Sequence, residues 1–101
     1  MTVLTVRYQV QQEHVAEVEA GIEKMMAAIE RELPTGMRYA LGKLPDGGTF
    51  VGVLELEDGL ENPLLSIPAA REFQQNLGDW VVGDPPTPRP VQILASYRLF
   101  D

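Results

Sequence analysis

The spacing of hydrophobic residues predicts a strand followed by a long helix in the first third of the chain. Residues 2–10 alternate between apolar and more polar positions, as in a β-strand that buries one side. Residues 15–33 instead repeat apolar side chains at steps of three and four, which is the spacing of an amphipathic α-helix. Pro34 ends this helix, because proline lacks the backbone donor and disfavours helical geometry in the residue before it.

The remaining pattern predicts a hairpin, a second helix and a last strand. Two short β-rich runs, 37–44 and 49–56, flank a turn sequence that contains one proline and two glycines. Helical spacing returns at 67–81. A proline-rich stretch, 83–90, predicts a stiff surface connection, and the alternating run 91–100 predicts the fourth strand.

The order β-α-β-β-α-β predicts an α+β fold of the ferredoxin-like type in a single domain covering residues 1–101. Two right-handed crossovers joined through the hairpin give a four-stranded antiparallel sheet with both helices on one face. The opposite face remains unusually apolar for a sheet surface in water, which predicts a homodimer formed through that face. The residues that make this face apolar are Val3, Thr5, Val51, Val53 and Leu94.

The amino-acid composition limits the binding partners and the cellular compartment that can be expected. Fifteen acidic and eight basic residues give a formal charge of −7, which repels nucleic acid and anionic membrane surfaces. The absence of cysteine excludes disulfides, thiolate metal sites and a thiol nucleophile, and suits a cytoplasmic location. No stretch is long and apolar enough to predict a membrane span or a signal peptide.

Aromatic residues are the main candidates for a pocket between the sheet and the helices. Tyr8, Tyr39 and Tyr97 fall on the helix-facing sides of the predicted strands, and Phe73 and Trp80 on the inner side of the second helix. They are expected to line one cavity that takes a flat aromatic ligand. The alternative is that they only fill the core, with each tyrosine hydroxyl bound at its edge.

His14 is the only histidine, and it lies at the predicted start of the first helix. A helix N-terminus favours the neutral imidazole, so His14 is a candidate general base; the alternative is an exposed residue with no role. A single histidine beside Glu13 and Glu17 does not make a structural zinc site, so no metal is predicted.

Arg7, Arg98 and Glu55 are expected on the sheet face that points away from the helices. Two interpretations stay open for them. They form an ion-pair network buried in the dimer, or they are separate charges at a solvated edge.

The chain resembles the dimeric α/β-barrel superfamily, and within it the antibiotic biosynthesis monooxygenase-like proteins. The similarity rests on the first strand 3–10, the hairpin around Asp46-Gly47-Gly48, the second helix through Arg71-Glu72-Phe73, and the closing run 95–100. It implies that two sheets face each other in a dimeric barrel and that each subunit keeps a pocket between its sheet and helices. Members of the superfamily include cofactor-free oxygenases of aromatic polyketides, haem-degrading enzymes and isomerases.

The resemblance does not extend to the residues of the haem-degrading branch. That branch uses an asparagine in the first strand, a tryptophan on the sheet and a histidine in the second helix; Val6 and Phe50 occupy the strand regions here, and the helix has no histidine. The function that the resemblance implies is a cofactor-independent monooxygenase acting on an aromatic or polyketide-like substrate. The alternative is a non-catalytic module of the same fold that binds a small ligand or serves dimerisation.

Overall fold

The computed structural model of the protein describes residues 1–83 and 85–99. Its strands and α-helices are β1 (Thr2–Gln9), α1 (Val15–Glu32), β2 (Met37–Lys43), β3 (Thr49–Leu56), α2 (Pro68–Trp80) and β4 (Arg89–Val91). Two short 3₁₀ helices, Gln12–His14 and Pro63–Ser66, precede α1 and α2.

The strands form one antiparallel sheet in the order β2-β3-β1-β4, which confirms the predicted ferredoxin-like fold. Both helices pack on the same face of this sheet and enclose the hydrophobic core with it. Neither helix in the described part of the chain is long and apolar enough to cross a bilayer. The largest side chains that are almost wholly buried are Phe50, Met25 and Val18.

A glycine lets the two helices approach each other over the sheet. An added Cβ at Gly21 of α1 would lie 2.8 Å from Cδ1 of Phe73 in α2, closer than carbon atoms pack. Only a residue without a side chain allows this approach. The contact fixes α2, and thereby Phe73, relative to the sheet.

The turn between β2 and β3 is held by one carboxylate. Asp46 Oδ1 accepts the backbone N–H groups of Gly48 and Thr49 at 2.9 Å each, and Oδ2 accepts the Thr49 hydroxyl at 2.6 Å. These hydrogen bonds, that of the Thr49 hydroxyl above all, lower the pKa of Asp46. The turn therefore sets the register of the hairpin, as its sequence predicts.

The fourth strand is much shorter than predicted, and the extent given to it from the sequence was wrong. β4 covers only Arg89–Val91, so it begins inside the proline-rich stretch and ends where the prediction began. Pro90 is compatible with β4 because this strand lies at the edge of the sheet. Phe100, the predicted end, lies outside the described residues.

Register explains why β4 stops. Val91 pairs with Val3, and β1 begins at Thr2, so from Leu94 onwards β1 offers nothing to pair with. The large apolar side chains of this last segment face solvent, with Leu94 88%, Tyr97 80% and Leu99 66% exposed. Leu94 therefore does not lie on the sheet face where it was predicted.

We expect Leu33→Gly to stabilise the protein. Leu33 caps the C-terminus of α1 with φ 48° and is 76% exposed, so it holds a left-handed conformation with little burial in return. Removing the Cβ removes the steric cost of the left-handed conformation, and this gain exceeds the cost of the greater entropy of the unfolded chain. The net result is an increase of roughly 0.5–1 kcal/mol in the free energy of unfolding. Urea denaturation measures it. Leu65→Gly, at an exposed leucine with negative φ, should destabilise; equal losses in both variants would contradict the interpretation.

Candidate functional site

A cavity of about 270 Å³ lies between the sheet and the helices. This volume is at the lower end for ligand pockets, which favours a compact ligand. The strands provide most of its floor, α1 and α2 its roof, and two loops its ends. The lining residues include Leu4, Val6, Tyr8, Met25, Tyr39, Leu41, Gly52, Leu54, Asn62, Leu64, Phe73, Gln74, Leu77, Pro85, Pro86 and Pro88.

Strand register places the two tyrosines on either side of a glycine. Tyr39 of β2 lies opposite Leu54 of β3, and Tyr8 of β1 lies opposite Phe50, two rows further along the sheet. Gly52 occupies the row between them on β3. An added Cβ at Gly52 would lie 2.8 Å from Leu41 Cδ2 and 3.0 Å from Val6 Cγ1, so these side chains cover the glycine and form the centre of the floor.

Tyr8 carries a buried hydroxyl that has no partner. Its ring is stacked on Phe50, with centroids 5.7 Å apart and planes 13° from parallel, and the side chain is 6% exposed. The hydroxyl finds no hydrogen-bond partner among the described residues. Such a group costs free energy in the isolated protein, and a ligand oxygen in the cavity would satisfy it.

Both tyrosines remain protonated at neutral pH. Burial raises the pKa of Tyr39 to about 12. Burial, and secondarily the neighbouring Tyr39, raises the pKa of Tyr8 further. Each hydroxyl can therefore donate a hydrogen bond to a ligand oxygen. Since no residue in the described lining carries a charged group, the site suits an uncharged or phenolic ligand rather than a carboxylate or a phosphate.

Asn62, which caps the 3₁₀ helix Pro63–Ser66, adds a polar group to the cavity. Its Oδ1 accepts the backbone N–H of Leu64 at 3.0 Å, which fixes the side-chain amide at the end of the cavity. The two N–H donors of that amide remain for other partners. The sequence Asn62-Pro63 indicates a helix cap, but a local sequence pattern cannot show that this turn faces a cavity.

The proline-rich segment was also missed as part of the site. Pro85, Pro86 and Pro88 contribute to the cavity wall, although the sequence predicted only a surface connection there. Proline fixes φ, so this wall is stiff compared with an ordinary loop.

Three of the six predicted pocket residues lie together, namely Tyr8, Tyr39 and Phe73. His14 and Trp80 lie outside the lining and stack on each other, with ring centroids 6.1 Å apart. His14 Nδ1 also lies 3.1 Å from Glu17 Oε1 at the helix start. Within residues 1–83 and 85–99, no three histidine, aspartate or glutamate side chains are grouped as metal ligands.

Tyr97 does not face the helices, contrary to the expectation from strand alternation. It lies beyond β4 and is exposed, because the last strand ends at Val91. Its only aromatic contact among the described residues is with its neighbour Arg98, whose Cζ lies 5.2 Å from the ring centroid.

Comparison with known proteins identifies the fold. No protein-family profile matches the sequence, and no curated protein matches it significantly. Among solved structures, a point mutant of SnoaB from Streptomyces nogalater, described as a cofactor-independent oxygenase, is similar with a TM-score of 0.70 and 15% identity over 96% of each chain. The resemblance to the antibiotic biosynthesis monooxygenase-like fold is confirmed.

Two further solved structures share the fold at similarly low sequence identity. Rv0793 from Mycobacterium tuberculosis has a TM-score of 0.73 and 17% identity, covering 94% of this chain and 96% of that one. A candidate antibiotic biosynthesis monooxygenase from Bacteroides thetaiotaomicron has a TM-score of 0.71 and 17% identity, covering 93% and 90%. At such identities the likeness concerns the fold, and function has to be argued from the site.

We expect Tyr8→Phe to leave the stability of the ligand-free protein unchanged or to raise it by up to about 1 kcal/mol, because the change removes a buried hydroxyl that has no partner. Thermal unfolding without ligand measures this. Tyr97→Phe, which removes an exposed hydroxyl, is the control and should be neutral. A loss of more than about 1 kcal/mol in Tyr8→Phe would show that the hydroxyl is bound within the fold.

Proposed function

We propose that the protein is a cofactor-independent monooxygenase whose cavity binds a compact, flat, hydroxylated aromatic substrate of the polyketide type. The observation that carries the proposal is the unpartnered Tyr8 hydroxyl at an uncharged cavity that also contains the Tyr39 phenol. The similar fold of SnoaB, which is described as a cofactor-independent oxygenase, supports the same chemistry.

In this proposal the tyrosines orient the substrate instead of removing its proton. A phenol with a raised pKa stays protonated, so Tyr8 and Tyr39 donate to the oxygen of the bound aromatic. A phenolic substrate gives its proton to solvent before it is enclosed, and donation from the two tyrosines stabilises the negative charge left on its oxygen. The resulting electron-rich ring is the form of the substrate that reacts with dioxygen. The walls formed by Leu54 and Phe73 exclude water from the ring.

Asn62 takes the role of a second fixed donor. Its amide is held by the bond to Leu64, so its N–H groups need no rearrangement when a ligand binds. Two donor sites at separate places in one small cavity select a ligand with two oxygens. A hydroxylated polyketide ring has two such oxygens.

A non-catalytic ligand-binding module is the second candidate. It is favoured by one observation, that no carboxylate or imidazole belongs to the described lining to serve as general base. Both candidates predict binding, and only the oxygenase predicts consumption of dioxygen.

We further propose that two copies associate through the sheet face opposite the helices. On this face Val53 of β3 pairs with Thr5 of β1 and Ala40 of β2, which makes an apolar centre only partly covered in one copy. A second copy would remove this surface from water.

A buried carboxylate oxygen on the same face supports the dimer. Glu55 pairs in register with Arg38 of β2, yet its Oε2 is buried with no hydrogen-bond partner among the described residues. Arg7 also lies on this face and is exposed, whereas Arg98 lies beyond β4 and outside the sheet. An arginine from a second copy would satisfy Glu55, which agrees with the ion-pair interpretation of these charges.

The ligand prediction uses a panel of hydroxylated naphthalenes and anthrones. Tyr39→Phe keeps the ring and removes one donor, so we expect binding of these phenols to weaken by about 0.5–1.5 kcal/mol, as for one neutral hydrogen bond. Asn62→Ala should weaken ligands with two oxygens more than ligands with one. Calorimetric titration gives the affinities, and an oxygen electrode with chelator present gives turnover.

The matched control is Asn76→Ala on the exposed side of α2, which should leave both readings unchanged. Binding without oxygen uptake across the panel would favour the non-catalytic module. Unchanged affinities in Tyr39→Phe, together with lower thermal stability, would assign the hydroxyl to the fold and reject the site.

The dimer prediction is that the protein sediments at twice its chain mass of 11.2 kDa at micromolar concentration. Val53→Asp should shift the equilibrium to monomer, because it places a charge at the apolar centre of the face. Val82→Asp, at an exposed valine off this face, is the control. A wild-type protein that sediments only as a monomer would remove the dimer while leaving the ligand site to be judged on its own experiment.

A further inference from the structure

Gly52 lies in the middle of β3, where the backbone gives no reason for a glycine. Its φ is not positive, and the pairing of β3 with β1 and with β2 runs through it without a bulge. A glycine inside a strand costs conformational entropy and provides no side chain to pack, so it often marks a place where space is needed. The reason for Gly52 therefore lies in the space above its Cα, on the side of the cavity.

The space above Gly52 is shared by two neighbours in the same row of the sheet. Val6 of β1 and Leu41 of β2 pair with it in register, and all three residues line the cavity. An added Cβ would meet Leu41 Cδ2 at 2.8 Å and Val6 Cγ1 at 3.0 Å. Because Gly52 has no side chain, both neighbours lean over the strand, and the floor of the cavity stays low in this row.

A larger residue in place of Gly52 would raise the floor. The β-branched side chain of Val6 is stiff about χ1, whereas the end of the Leu41 side chain can rotate to another rotamer. The methyl group of an alanine would therefore push Leu41 toward the helices, into the space that a ligand needs.

The row of Gly52 lies between the rows of the two phenols. Tyr8 of β1 lies in the row of Phe50 and Tyr39 of β2 lies in the row of Leu54, so the tyrosines flank β3 from opposite sides. Successive rows on one face are about 6.6 Å apart, which is two residues at roughly 3.3 Å each. Two fused rings can lie beside one tyrosine within such an interval, whereas three fused rings in line have to cross the middle row.

We propose that Gly52 is a specificity-determining residue, which lets the cavity accept three fused rings in line where an alanine would restrict it to two. The inference rests on the proposed ligand site, but not on catalysis, since glycine carries no group that reacts. Gly52 therefore acts on the affinity for long ligands and has little effect on short ones.

The first experiment compares two probes, dihydroxynaphthalene with two rings and dihydroxyanthrone with three, in the wild type and in Gly52→Ala. We expect the dissociation constant of the anthrone to rise about tenfold or more, as for a packed site that takes up an extra methyl group, and that of the naphthalene to rise less than about threefold. Calorimetric titration without oxygen measures both constants, so that turnover does not interfere. Circular dichroism and thermal unfolding check that the variant is folded.

Gly42→Ala is the matched control, because Gly42 is also a glycine within a strand but lies on the sheet face away from the cavity. Its added Cβ would lie 4.0 Å from Val51 Cγ2, which is an ordinary contact. Both dissociation constants should stay unchanged in this variant.

The second experiment repeats the change in a Leu41→Ala background. Without Leu41 Cδ2 the added methyl group displaces little, so Gly52→Ala should now raise the dissociation constant of the anthrone by less than about threefold. A general loss of packing would be at least as large in the double variant. A loss of affinity that persists there would contradict the raised floor.

The outcomes distinguish the role of Gly52 from the ligand site itself. Equal weakening of both probes in Gly52→Ala, together with lower thermal stability, would assign the glycine to core packing and overturn its role in specificity. Unchanged affinity for both probes would also overturn that role and leave the ligand site standing, as would a wild-type protein that binds the naphthalene but not the anthrone. A wild-type protein that binds neither probe would reject the ligand site, and the role of Gly52 with it.

Discussion

The antiparallel pairing of β1 with β3 is the constraint on which the rest of the structure depends. It runs from Thr2 opposite Leu56 to Gln9 opposite Thr49, so it covers both strands end to end. Side chains alternate along each strand, and this one register therefore decides which residues face the helices. It places Tyr8 above Phe50 on the inner side and Glu55 beside Val3 on the outer side. A slip of one residue would turn the side chains that line the cavity to the outer face, and those of the outer face to the cavity.

Local periodicity predicted the parts of the fold whose burial follows a regular period. The helix over 15–33 and the hairpin over 37–56 agree with the structure because each buries one regular face and ends at a proline, a glycine or an aspartate turn. The predicted extent of the last strand was wrong for a different reason. Alternation from Val91 onwards shows that the segment suits a strand, but the length of β1 decides whether a partner is there. That length is a property of the whole sheet, and no local window contains it.

The cavity could be predicted only where its residues stand on regular elements. Tyr8, Tyr39 and Phe73 followed from the side on which alternation or helical spacing placed them. Asn62 and the prolines stand on connections, whose path over the surface depends on the ends of the elements that they join. Trp80 shows that a place on a regular element does not guarantee a place in the cavity. It lies on the inward side of α2, partly buried against the core, but so close to the helix end that it meets His14 instead of the cavity.

Two buried polar groups among the described residues lack a hydrogen-bond partner in one copy, and they lie in different environments. Tyr8, whose buried hydroxyl has no partner among the described residues, lines an uncharged cavity that a small ligand could occupy. The Glu55 carboxylate lies on a sheet face that also presents arginines, where a positive group on a large, flat partner suits it. Each unsatisfied polar group costs free energy in the isolated subunit. The proposed ligand would satisfy the first group, and the proposed second subunit would satisfy the other.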